Sequence, residues 1–166
     1  MNEIFTRRSV RRFTPEPVSP QDAERVLRAA MQAPSAGNQQ PWEFIALTDR
    51  AMIDKLARVS QHAAPLLSAT LAVVVLANGN GIRFPGCVPA DLGAATQNLL
   101  LEAHSIGLGG VWLAIADFPE RVEYARKLFA LPEGVAAFAA VALGHPAENP
   151  KPADRFVPAK VHYGGY

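Results

Sequence analysis

Two uninterrupted apolar segments, Leu71–Ala77 and Val135–Leu143, constrain this chain more than any other feature. Neither approaches the roughly 20 residues that a bilayer-spanning helix needs. Length and β-branching make Leu71–Ala77 a buried strand, and Val135–Gly144 reads as another. Helical patterns surround them. Ser19 suits an N-cap, with Pro20 at the first helical position and Asp22 three residues after the cap. Ala23, Val26, Leu27, Ala30 and Met31 follow at helical spacing, so Pro20–Ala33 is an amphipathic helix that stops at Pro34. Leu92, Ala95, Leu99, Ala103 and Ile106 mark a longer helix over Ala90–Ile106, with Gly107 as its left-handed end. Trp42–Thr48 and Gly110–Ile115 read as strands and Pro119–Phe129 as a helix, while Asp49 suits the cap of a short helix. Interleaved helices and strands give an α/β or α+β sandwich rather than a bundle.

The 166 residues suit one domain, 1–166, and 49% apolar against 19% charged residues argues against disorder. The chain shows no internal repeat. A lone Cys87 cannot form an internal disulfide, and the start of the chain lacks an apolar leader, so cytoplasmic residence is expected. Net charge is only +1, which argues against nucleic acid as a partner, yet the first twelve residues carry +3. That basic knot is either a local anion site or a solvated terminus.

Residues 146–166 form an unusual ending. Pro146, Pro150, Pro152 and Pro158 forbid a regular helix, but Phe156, Val157, Val161, Tyr163 and Tyr166 would be wasted in a disordered tail. An extended arm packed on a surface fits both facts. A partner subunit is the natural surface, with the arm's own domain as the alternative.

Alternation along Arg7-Arg8-Ser9-Val10-Arg11 places Arg7, Ser9 and Arg11 on one side of an extended segment, where two guanidiniums and a hydroxyl can grip a phosphate or an anionic ring edge. Neither a P-loop nor a Rossmann glycine pattern occurs. Gly107-Leu108-Gly109-Gly110 follows a helix; its glycines either let a planar ligand approach the backbone or simply punctuate helix and strand. His62, His104, His145 and His162 lack metal-ligand spacing. His104 reads as a packed core residue, Cys87 as a small buried one, and Asp91 and Glu102 as helix-end and surface charges. Trp42 and Trp112 read as core, and no catalytic triad is visible.

RRSVRRF near the start, APSAGNQQPWEF, DLGAATQNLLLEAHSIGLGGVWLAI, and a GHP, Arg155 and VHYGGY ending resemble the nitroreductase family in order and spacing over nearly the whole chain. The short interval Phe84–Asp91 makes it similar to the short members. The resemblance implies an α+β fold with a central, mostly antiparallel sheet flanked by helices. It also implies a homodimer that exchanges the C-terminal arm, FMN at the dimer interface, and NADH or NADPH as electron donor. Hydride equivalents would pass in ping-pong fashion to small electrophiles such as nitroaromatics or quinones, with the chemistry on the flavin and no catalytic side chain. By position, Arg7, Arg8, Ser9, Arg11 and Arg155 would bind the flavin's phosphate and pyrimidine edge. Pro34, Ser35, Ala36 and Asn38 would reach it from the second subunit, with Gln40 bracing them, and Gln61 would add a polar contact. The backbone of Leu113, Ala114 and Ile115 would face the flavin N5. Two positions depart from the family pattern: Ala114-Ile115 replaces an acidic residue followed by glycine, and Ala153 replaces a second late basic residue.

Three other functions stay open on these residues: specialised flavin chemistry such as dehalogenation or azoline oxidation, a flavin-binding or regulatory protein with little turnover, and, more remotely, a nucleic-acid contact through Arg7–Arg12.

Overall fold

The computed structural model describes residues 2–166, so Met1, the first residue of the expected domain, lies outside the described residues. The helices are α1 (Glu3–Thr6), α2 (Pro20–Met31), α3 (Arg50–Leu56), α4 (Val88–Ser105) and α5 (Pro119–Phe129). The strands are β1 (Trp42–Leu47), β2 (Leu71–Asn78), β3 (Gly109–Ala114) and β4 (Val135–Gly144). The sheet runs β1-β2-β4-β3 with every adjacent pair antiparallel. The two apolar segments, β2 and β4, are therefore its central strands. Helices cover both faces, as an α+β sandwich requires.

Side-chain alternation divides the core in two. Val73 and Val75 of β2, with Val141 and Leu143 of β4, pack against Val26 and Ala30 of α2 and Leu92 and Leu99 of α4. Ala72, Val74 and Leu76, with Ala140 and Ala142, face Ile53 and Leu56 of α3 and Ala125 of α5. This two-sided burial explains why β2 and β4 are apolar at nearly every position. Between Val75 and Leu76 the register shifts, leaving Phe138 unpaired across the ladder. Its carbonyl instead accepts from the N–H groups of Ile115 and Ala116, at 3.2 and 3.0 Å, which closes the end of β3.

The helix boundaries follow their capping chemistry. Ser19 Oγ accepts from the Asp22 N–H at 3.0 Å, and Asp49 accepts from the Met52 N–H at 2.9 Å. Gly107 stands at φ +83° just past the C-cap residue Ile106, the backbone that ends α4 there. The N-terminal segment then runs alongside β3: Ser9 bridges Gly110 in parallel, and Phe13 bridges Pro146 antiparallel. Gly109 permits that approach, because a Cβ there would lie 2.7 Å from Val10 Cβ. The glycine thus makes room for the chain's own basic segment.

Beyond β4, residues 151–166 are exposed throughout, with Phe156 at 69% and Tyr163 at 92%. No described helix is long and apolar enough to cross a membrane.

Candidate functional site

The basic segment, the edge of β3 and the start of the C-terminal arm converge. Val10 N–H donates to the Gly110 carbonyl at 3.1 Å, so Gly110 directs its peptide groups away from β4. By strand alternation Trp112 and Ala114 do the same. Ala114 is exposed, and its carbonyl accepts from Arg121 Nη1 at 2.9 Å. The Ile115 N–H points the other way, to Phe138, and is buried with it. Of the three backbone positions expected at the flavin, Ala114 is the one that presents its edge outward.

Arg7, Arg8 and Ser9 are half-buried, and Arg11 is exposed. Arg8 ties the arm down: it donates to the carbonyls of Arg7 at 2.6 Å, Ala153 at 2.7 Å and Lys151 at 3.3 Å. The Ala153 position, which departs from a second basic residue in the family pattern, thus contributes a backbone acceptor. Those contacts bring Arg155 near Arg7. The Arg7 guanidinium is pushed below its ordinary pKa by burial first, and then by the charges of Arg8 and Arg155. Among the described residues no carboxylate lies within ion-pair distance of Arg7, Arg8 or Arg155. Mutually repelling cations without a counter-charge are suited to an anion such as a phosphate. Arg12 is different, because Glu148 pairs with it at 3.0 Å and accepts from the Arg11 N–H at 2.7 Å.

Next to the outward edge of β3 lies a groove of about 330 Å³, lined by Val59, Ser60, His62, Ala63, Trp112, Leu113, Ala114, Phe118 and Arg121. Its size falls in the range of small-molecule sites. Gln61 stands exposed at its margin, its side chain 3.4 Å from His62 Nε2. Trp112, expected in the core, is only half-buried and helps to line this groove.

Pro34, Ser35, Ala36 and Asn38 lie elsewhere. Their loop enters β1 at the opposite edge of the sheet, three strand spacings, or about 14 Å, from β3. One chain therefore does not bring this loop to the β3 groove. The loop is held in an unusual backbone, with Gly37, Asn38 and Gln40 all at positive φ. Gln40 braces it as expected: its N–H donates to Ser35 Oγ at 3.0 Å and its side chain to Asn38 Oδ1 at 3.2 Å.

The main brace is a residue that the sequence reading took for a helix-end charge. Asp91 is only 5% exposed, and its carboxylate accepts from the Ala36 N–H at 3.0 Å and from Gln39 Nε2 at 2.8 Å. An acidic residue in the first turn of α4 already carries a helix-dipole explanation, which hid its second role. Arg121, also missed, lies in a helix rich in ordinary charged residues. Two further expectations are corrected. Cys87 is exposed, because it sits on the short turn before α4 rather than beneath it. His104 occupies the last turn of α4, half-buried, with Nε2 2.8 Å from Thr6 Oγ1. Among the described residues, no group of His, Cys, Asp and Glu converges as a metal centre.

Comparison with known proteins agrees with this geometry. The model of the nitroreductase family matches residues 4–79 and 67–145. A Methanothermobacter thermautotrophicus protein, provisionally named an NADH dehydrogenase/NAD(P)H nitroreductase, is 39% identical over 98% of this chain and 85% of its own length. A crystal structure from Clostridium acetobutylicum, provisionally named an NADH oxidase, superposes with a TM-score of 0.96 at 42% identity, covering 99% of each chain. A Desulfovibrio desulfuricans structure provisionally named a nitroreductase, in complex with FMN, matches at 0.86 with 32% identity, covering 99% of this chain and 96% of that one. With helices on both faces of the same antiparallel sheet, a basic segment along its β3 edge and a match spanning most of its length, the chain belongs to the nitroreductase family.

Proposed function

We propose that this protein is an FMN-dependent oxidoreductase that takes reducing equivalents from NADH or NADPH and passes them to small electrophiles such as nitroaromatics or quinones. The observation that carries this reading is the unpaired cation cluster of Arg7, Arg8 and Arg155 beside the outward edge of β3. That cluster and that edge fit the anionic tail and the planar head of a flavin mononucleotide. FMN would supply the redox chemistry, accepting a hydride from the nicotinamide and releasing the equivalents to the acceptor in a separate, ping-pong half-reaction.

The protein's task is then binding, orientation and electrostatics. Arg7 and Arg155 hold the phosphate, with Arg8 fixing the arm that carries Arg155. Ser9 and Arg11 serve the neighbouring polar edge, where a guanidinium stabilises negative charge that develops on reduction. The outward N–H of Ala114 is the donor for N5, and the flanking Leu113 and Ile115 hold that strand end in register. Gln61 contributes from the groove margin. Pro34, Ser35, Ala36 and Asn38 complete the site from a second subunit, since their own chain holds them at the far edge of its sheet. In that homodimer the single domain 1–166 sends out its exposed arm, residues 146–166, to cover its partner.

The test is a spectrum of the purified protein. FMN absorbance that NADH or NADPH bleaches without oxygen supports the assignment. A protein that takes up no FMN overturns it. Bound FMN that neither nicotinamide reduces would instead favour a flavin-binding role with little turnover, which the Ala114-Ile115 departure keeps in view.

A further inference from the structure

We propose that Arg121 is a specificity-determining residue that holds the carboxylate of an aromatic acid in the β3 groove, so that the enzyme favours acceptors carrying an anion beside the reducible group. This inference rests on the flavin reading above and extends it to the chemistry of the acceptor.

Arg121 lies in the first turn of α5, yet its side chain is only 14% exposed. Its guanidinium stacks over the Phe118 ring, with Cζ 3.5 Å from the ring centroid, and donates through Nη1 to the Ala114 carbonyl at 2.9 Å. A planar stack and a carbonyl anchor fix its orientation, which lowers the entropy lost on binding a ligand. One donor direction is used by Ala114. The remaining N–H groups have no hydrogen-bond acceptor among the described residues. Glu120, the nearest carboxylate, stands 3.9 Å from Nε, beyond hydrogen-bond length, and its side chain is 72% exposed. Water therefore screens that pair strongly.

The surroundings define the ligand. Arg121 and His62 are the titratable side chains that line the groove, Ser60 adds a hydroxyl, and Phe118 supplies aromatic surface. The lining contains no carboxylate. A largely buried cation stacked on the Phe118 ring suits a flat molecule with one negative end. Its place against Ala114 sets that negative end beside the strand edge to which the flavin reading assigns the reactive ring.

The experiment uses FMN-loaded wild type, Arg121→Gln and Arg121→Lys. Benzoate, which is not reduced, is titrated while the flavin absorbance is followed. Turnover is then measured with 4-nitrobenzoate and with uncharged nitrobenzene. Arg121→Gln should weaken benzoate binding by about tenfold or more and raise KM for 4-nitrobenzoate similarly, while the nitrobenzene values stay within about twofold. Arg121→Lys should recover part of the loss. Equal losses for both acceptors would reduce Arg121 to a brace for Ala114, and unchanged benzoate affinity in Arg121→Gln would also overturn the proposal. Failure of the wild type to take up FMN would sink the flavin reading itself, and with it this extension, which separates the two failures.

Discussion

Asp91, at the start of α4, and Gln39, in the loop before β1, are joined by a 2.8 Å hydrogen bond across more than fifty residues of sequence. The Gln39 amide oxygen accepts in turn from the Phe84 N–H at 3.0 Å, and the second Asp91 oxygen accepts from the Ala36 N–H. Together they clamp a loop that holds three residues at positive φ. Asp91→Ala leaves the Ala36 N–H and the Gln39 side chain without their acceptor. It should lower stability by about 1.5–3 kcal/mol, the scale of a hydrogen bond to a charged group. Urea denaturation measures the loss, and faster proteolysis within residues 34–41 would localise it. An unchanged midpoint would show that the clamp contributes nothing.

Arg7 and Arg8 should respond differently to truncation. Arg7→Ala removes a cation that has no side-chain partner among the described residues, so FMN retention should fall by about tenfold or more while the thermal midpoint of the apoprotein stays put. Arg8→Ala should also loosen the arm, because its guanidinium bonds the carbonyls of Lys151 and Ala153. Flavin release and apoprotein melting, compared side by side, check this. Equal flavin content in wild type and Arg7→Ala would contradict the phosphate assignment.

Glu148 links the basic segment to the arm, and its carboxyl is held below the ordinary value by the Arg11 backbone N–H first and by Arg12 next. A folded-state pKa below the unfolded one stabilises the fold above the unfolded value and ceases to do so as pH falls through the folded value. Wild type should therefore melt higher than Glu148→Gln at neutral pH. The gap should narrow as pH drops below about 4.5, the unperturbed value. Melting curves of both proteins across the acid range test the sign. A gap that widens on acidification would refute it.

Ala130 ends α5 at φ +49°, a left-handed conformation in which its Cβ is strained. Ala130→Gly should stabilise the protein by about 1 kcal/mol, or roughly 2–4 °C in Tm. Calorimetry gives the answer directly, and a lower Tm would mean that the Ala130 methyl packs more usefully than its backbone strains.

Ending the chain at Arg155 removes Phe156, Val157, Val161, Tyr163 and Tyr166 but keeps the Lys151 and Ala153 carbonyls that Arg8 holds. The fold of one chain should survive, since residues 156–166 are exposed. Self-association should weaken. Sedimentation that shows the same dimer, with the same affinity, for full-length and shortened chains would mean that the arm does not join subunits.

Much of this architecture was legible before any coordinates. Pro119–Phe129 and Val135–Gly144 occur as read, α2 and α4 start and end within two residues of the expected limits, and Ser19, Asp49 and Gly107 perform the capping roles their chemistry suggested. These features depend on contacts within a few residues, so local spacing and backbone preference suffice to determine them. What the linear order could not show is which distant groups meet. Asp91 and Arg121 look like ordinary helix charges because their partners, Gln39 and Ala114, belong to other segments. Cys87 and His104 were misplaced because burial depends on which side of a helix or turn the rest of the chain covers. The sequence alone therefore determined the elements, the two central strands and the basic segment. The tertiary structure decided that this segment lies along β3, that among the described residues Arg7 and Arg8 have no counter-charge while Arg12 pairs with Glu148, and that the Pro34–Asn38 loop sits at the opposite edge, because long-range packing places groups that no local periodicity connects.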